Sequence, residues 1–110
     1  MENIYEFANL KSNRTGIKKI MIHVYSQGDK ELSHAPRIKV SNVYEKFIEN
    51  DSFSINILTL KVEKGEVKIT KKEFLNVLKW IVLNKQVLLN YWKVGTEIST
   101  DDFLSSIKPI

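Results

Sequence analysis

The sequence predicts an α+β fold, with a small antiparallel sheet from the N-terminal half packed against one or two C-terminal helices. Three observations predict it. The stretches Ile17–Tyr25, Arg37–Val43 and Phe53–Leu60 carry the apolar alternation of strands. Behind them, Thr70-Lys71-Lys72-Glu73 has the form of a capping box, followed by Phe74, Val77, Leu78 and Ile81 at helical spacing. Finally, the strand-like runs all come first and the helical runs afterwards, in a chain of 110 residues that suits one domain over 1–110.

Taken in order, a weaker strand is expected at Ile4–Phe7, separated by the polar stretch Lys11–Thr15 from the strong run at Ile17–Tyr25. In that run Ile20, Ile22 and Val24 share one face, and Met21, His23 and Tyr25 share the other. Ser26-Gln27-Gly28-Asp29 supplies turn chemistry. Pro36, which has no donor for a ladder, suits the entry to the next strand, where Ile38 and Val40 alternate with Arg37 and Lys39. Tyr44 and Phe47 fall in a long connection, where aromatics either pack the loop down or contact a partner.

Phe53, Ile55 and Ile57 face one way, but from Leu58 the apolar parity switches to Leu58, Leu60 and Val62. The switch predicts a bulge or strand break near 57–59. Glu63–Glu66 then reads as a polar turn and Val67–Ile69 as a last short strand. The helical region runs from Lys71 to about Trp92, with a break favoured at Asn84, a good cap residue, and an end at Gly95. Asp101 and Asp102 suit the start of a final helical turn, and Pro109 closes it.

Composition removes several function classes. Apolar residues at 43% and charged residues at 27% are globular values. The absence of cysteine excludes a disulfide framework, a thiolate zinc site and a thiol nucleophile. No apolar run approaches the roughly 20 residues needed to span a bilayer, and the N-terminus lacks a signal-peptide pattern, so a cytoplasmic protein without membrane contact is expected. No glycine-rich phosphate loop or paired-carboxylate motif occurs, and no cofactor is expected. His23 and His34 are too far apart for a recognisable metal pattern, so no metal is expected either. His23, in mid-strand, reads as a hydrogen-bonded structural residue. His34, in a loop beside Pro36, is the better placed for proton transfer near neutral pH.

The net charge of +4 is unevenly spread: between Lys61 and Lys93 eight lysines face three glutamates, a local +5. Lys68, Lys71, Lys72 and Lys79, with Arg37 and Lys39 on a strand face, are therefore the candidate binding groups for an acidic or phosphate-bearing surface. Trp92 joins them as a candidate interface anchor, against its alternative as a core residue.

The stretch Leu78–Trp92 with the ending Ile107-Lys108-Pro109-Ile110, and Ser33–Val40 in the front half, resemble a small bacterial family of unknown function. Its members carry Leu-x-x-Trp-(Ile/Leu)…Leu-Leu-x-x-Trp in a C-terminal helix and a His-x-Pro-Pro-His-Phe-His-Val strand. Here Pro36 and Val40 match the strand and Ile38 stands for its aromatic. Arg37 and Lys39 replace the two histidines that flank the aromatic, and His34 is one position off the first histidine. The resemblance, over about two-thirds of the chain, implies a component of toxin–antitoxin-like or mobile-element loci. Exchanging two histidines for two cations removes imidazole ligands and keeps the strand electropositive, which favours binding over catalysis.

The leading expectation is thus a small binding module acting through a macromolecular partner: a toxin–antitoxin-type component, or a phage or mobile-element regulator or inhibitor of a host system. A protein partner with an acidic surface is expected first and nucleic acid second. The oligomeric state is open, a dimer included. The rival is a small ribonuclease-like toxin in which His34 moves the proton and Arg37 and Lys39 hold the phosphate.

Overall fold

A computed structural model describes residues 7–25, 35–94 and 99–110. It is α+β, with a five-stranded antiparallel sheet followed by helices. The strands β1 (Phe7–Leu10), β2 (Ile22–Tyr25), β3 (Arg37–Ser41), β4 (Ser52–Asn56) and β5 (Val62–Lys64) pair strictly in chain order. A four-residue helix α1 (Ser12–Thr15) lies between β1 and β2, and a 3₁₀ turn at Glu49–Asp51 leads into β4. The helices α2 (Lys71–Leu83), α3 (Lys85–Val94) and α4 (Thr100–Ser106) complete the fold.

Register explains which face is buried. Leu10 pairs with Ile22, Ile22 with Val40 and Val40 with Phe53; Val24 pairs with Ile38 and Ile38 with Ile55. All seven side chains are essentially inaccessible, and they form the sheet's contribution to one continuous core. Val77, Trp80 and Ile81 of α2, Leu88 and Tyr91 of α3 and Phe103 of α4 supply the helical layer. Phe74 packs on Phe53, with ring centroids 6.1 Å apart, and Tyr91 stacks on Phe103 at 4.0 Å. The opposite face of the sheet carries Asn9, His23, Lys39, Ser54 and Lys64 in one paired row.

The helix signals correspond to real caps. Thr70 accepts from the Glu73 backbone N–H, while Glu73 Oε1 accepts from the Thr70 N–H and from the Tyr44 hydroxyl. The helical region breaks at Asn84, whose backbone N–H still reaches the Trp80 carbonyl while its own carbonyl accepts from Leu88 at the start of α3. Ser99 caps α4 by accepting from the Asp102 N–H, with Asp101 and Asp102 in the first turn.

Four expectations need correction. β2 starts at Ile22 and not Ile17, because Lys19 adopts a left-handed φ of 67° and Ile20 folds back on the Ile17 carbonyl. β3 stops at Ser41, short of Val43, where the Ser41 hydroxyl turns the chain by bonding both Val43 and Ile48. β4 ends at Asn56, short of Leu60: Asn56 Oδ1 accepts from the N–H groups of Leu58 and Thr59, and Leu60 has a φ of 64°. The last strand is Val62–Lys64, not Val67–Ile69, since pairing with β4 extends a segment whose own residues suggest a turn. The expected strand at Ile4–Phe7 falls mostly outside the described residues, as do the Ser26–Asp29 turn and Gly95.

Gly65 ends β5 at a φ of +90°, pressed against β4: a Cβ there would lie 2.3 Å from the Ser52 carbonyl oxygen and 2.8 Å from Phe53 Cα. Gly65→Ala therefore combines left-handed strain with a backbone collision. A loss of roughly 2 kcal/mol or more is expected in equilibrium unfolding. A change below about 0.5 kcal/mol, the size of an ordinary surface substitution, would contradict this packing.

Candidate functional site

The candidate binding groups separate onto two layers of the molecule. The first is the polar face of the sheet. Arg37 and Lys39 emerge there, opposite to the buried Ile38 and Val40, and border a recess of about 650 Å³ with Ser54, Lys64, Glu49 and Glu63. Much of its charge is internally compensated. The Lys39 ammonium is ion-paired with Glu49, which the 3₁₀ turn brings across the face of β3. That hydrogen bond holds the Glu49 carboxyl below its ordinary range. Glu63 accepts from the Asn56 side chain at 2.9 Å.

The connection from β3 to β4 folds over the same face. Phe47 stacks on the His23 ring at 4.7 Å, so this loop aromatic packs its own connection down. His23 Nδ1 lies 2.6 Å from Asn9 Oδ1, which makes it the structural histidine expected from its strand position. Lys68 is ion-paired to Asp51 at 3.1 Å, and the pair is framed by Asn42, whose Nδ2 donates to Asp51 and to the Glu66 carbonyl. The Asp51 carboxyl is lowered, first by Lys68 and then by Asn42.

Burial, followed by the Lys39 charge, lowers the His23 pKa from 6.5, with a smaller opposing contribution from Glu49. Its folded form therefore resists protonation: the unfolded chain binds the extra proton first. The stability His23 contributes is complete above about 6.5 and is lost as pH falls below it. Urea unfolding between pH 7.5 and 5 should show stability falling with acidification, and His23→Asn should flatten that part of the slope. An identical slope in the variant would place the effect elsewhere.

The second layer is the outer surface of α2, the side turned away from Val77, Trp80 and Ile81. Leu75, Val82 and Leu83 are 46%, 58% and 48% exposed there, among Lys71, Lys72 and Lys79. They line a shallow depression of about 850 Å³, and none of the described residues lining it is acidic. The two ion pairs found among the described residues use Lys39 and Lys68, so these three lysines lie outside both. The only carboxylate of α2, Glu73, is committed to the cap and to Tyr44.

Of the expected binding groups, then, Lys71, Lys72 and Lys79 stand together on α2. Arg37 and Lys39 stand together on the sheet, and Lys68 is tied down beside the β3–β4 connection. Trp92 does not offer itself as an interface anchor. It is 5% exposed, because the turn of α3 that carries it is packed inward with Tyr91. His34 lies outside the described residues. Leu75, Val82 and Leu83 were not singled out by sequence, although they fall off the Phe74/Val77/Leu78/Ile81 stripe. Apolar residues on the side opposite a buried stripe were the available signal.

Among the described residues no group of three or more acidic or imidazole side chains is placed to hold a metal ion. No described helix is long and apolar enough to cross a membrane. No family model, curated protein or solved structure matches the chain.

Proposed function

We propose that this protein is a binding module that acts by engaging a macromolecular partner through the outer surface of α2. The observation that supports this reading is the pairing of exposed Leu75, Val82 and Leu83 with Lys71, Lys72 and Lys79 on one rigid helix. An apolar centre with a charged rim is the general composition of a protein-binding patch. The helix is held in place by its capping box and by a fully buried inner face, so the surface is preorganised. Its role is that of a toxin–antitoxin-type component or of a phage or mobile-element regulator of a host system, in the cytoplasm, as the family resemblance suggests. The ribonuclease reading is weaker, because it needs Lys39 to hold a phosphate and the Lys39 ammonium is already on Glu49.

The test compares the wild type with a Lys71→Glu/Lys72→Glu/Lys79→Glu variant in affinity capture from host extract, with and without nuclease. All three positions are exposed, so the variant should remain folded, which its unfolding curve checks. A partner retained by the wild type after nuclease treatment and lost by the variant is the expected result. Equal capture by both proteins, or none by either, overturns the reading.

A further inference from the structure

Resting on that reading of α2, we infer that the occupant of its outer surface is an acidic amphipathic helix of another protein. Four features of the surface lead there. The first is shape. Leu75, Val82 and Leu83 stand at i, i+7 and i+8, a ridge of about 12 Å over eight steps of the α-helical rise. Such a ridge suits a helix of three to four turns lying alongside and meeting it with its own i, i+3/i+4, i+7 residues.

The second feature is sign. Lys71 and Lys72 stand at one end of the ridge and Lys79 beside its middle, and none of the described residues lining the depression is acidic. No described residue supplies the opposite charge at this surface, which an acidic occupant would bring. The same arrangement weighs against a second copy. Two α2 surfaces brought face to face would bury six lysines against one another, with Glu73 of each chain already used by Thr70 and Tyr44.

The third feature is the apolar centre, which argues against nucleic acid. A phosphate backbone would satisfy the lysines but would leave Leu75, Val82 and Leu83 without apolar partners, about half of each being open to solvent. The fourth is the contrast with the sheet's polar face. There, Glu49 and Glu63 stand among Arg37, Lys39 and Lys64, so that recess presents both signs and no comparable apolar ridge.

The test uses the full chain, labelled with ¹⁵N, and a synthetic 14-residue helical peptide as the probe. The peptide carries leucine along one face and glutamate on both flanks. One control peptide has lysine in place of glutamate, and a single-stranded RNA oligonucleotide forms a third arm. The expected result is amide shift changes centred on α2 with the glutamate peptide alone. Lys72→Glu/Lys79→Glu and, separately, Leu75→Ser/Val82→Ser should each weaken that binding about tenfold or more. Raising salt from about 0.05 to 0.2 M should weaken it several-fold.

Equal binding of the glutamate and lysine peptides, shift changes centred elsewhere, or no binding of the glutamate peptide overturns the inference. If the RNA perturbs α2 and the glutamate peptide does not, the acidic-helix inference falls while the binding surface stands. If neither probe perturbs α2 and the captured partner also survives the triple lysine reversal, both fall.

Discussion

Trp80→Ala is expected to destabilise the protein by roughly 3–5 kcal/mol, the range for deleting a large buried aromatic. Trp80 is fully inaccessible on α2's inner face, in the same core cluster as the buried side chains of the sheet and of the other helices. Its indole N–H has no hydrogen-bond partner among the described residues, so the residue contributes through packing and not through a polar bond. That separates two variants. Trp80→Phe keeps most of the packed ring and removes a buried donor, so it should cost well under half as much as Trp80→Ala. For a domain whose total stability is about 5–15 kcal/mol, the alanine variant sits near the edge of folding. Chemical unfolding measures both losses, and equal losses would show that the indole does not fill the core as described.

Asn84→Ala is the second large effect, expected at roughly 2–4 kcal/mol through lost hydrogen bonds. Asn84 is 2% exposed where α2 gives way to α3. Its Nδ2 donates to the carbonyls of Trp80 and Lys108, and its Oδ1 accepts from the Lys108 N–H at 2.8 Å. One amide thus replaces a ladder partner for the C-terminal segment. That segment continues to a backbone bond from Ile110 to Thr15, beside Gly16. Truncation leaves both Lys108 backbone groups without this partner and frees the tail from the helix junction. Asn84→Asp is the informative companion: a carboxylate cannot donate to the two carbonyls and should cost at least as much as alanine. Equal stability of Asn84→Asp and the wild type would contradict the clamp.

The readable parts of this fold are those fixed by near neighbours. The capping box at Thr70 and the break at Asn84 depend on residues three or four apart, and both are in the structure. The parity switch at 57–59 likewise marks a true strand end, because Asn56 bonds within the next three residues. What the pattern did not show was set by distant contacts. Val62–Lys64 is a strand only because β4 pairs with it. The chain leaves the extended path at Lys19, where its carbonyl meets the Glu45 N–H from a distant loop.

The same division runs through the candidate site. Lysine clustering and the solvent-facing side of α2 were legible from composition and helical period. The cancellation of Lys39 by Glu49 and of Lys68 by Asp51 was not, since a loop fold brings those carboxylates into place. The burial of Trp92 was not legible either, because period alone leaves an aromatic beside an apolar stripe able to face inward or outward.

In the proposed function, α2's outer surface is the part of this protein that meets its partner. Lysine-acetylation footprinting of the partner-bound protein tests it most directly, read residue by residue with mass spectrometry. Lys71, Lys72 and Lys79 are expected to become protected together, while exposed Lys18, Lys61 and Lys108 react as they do in the isolated chain. Protection confined to Lys39 and Lys64 on the sheet's polar face, with Lys71, Lys72 and Lys79 reacting unchanged, would contradict it.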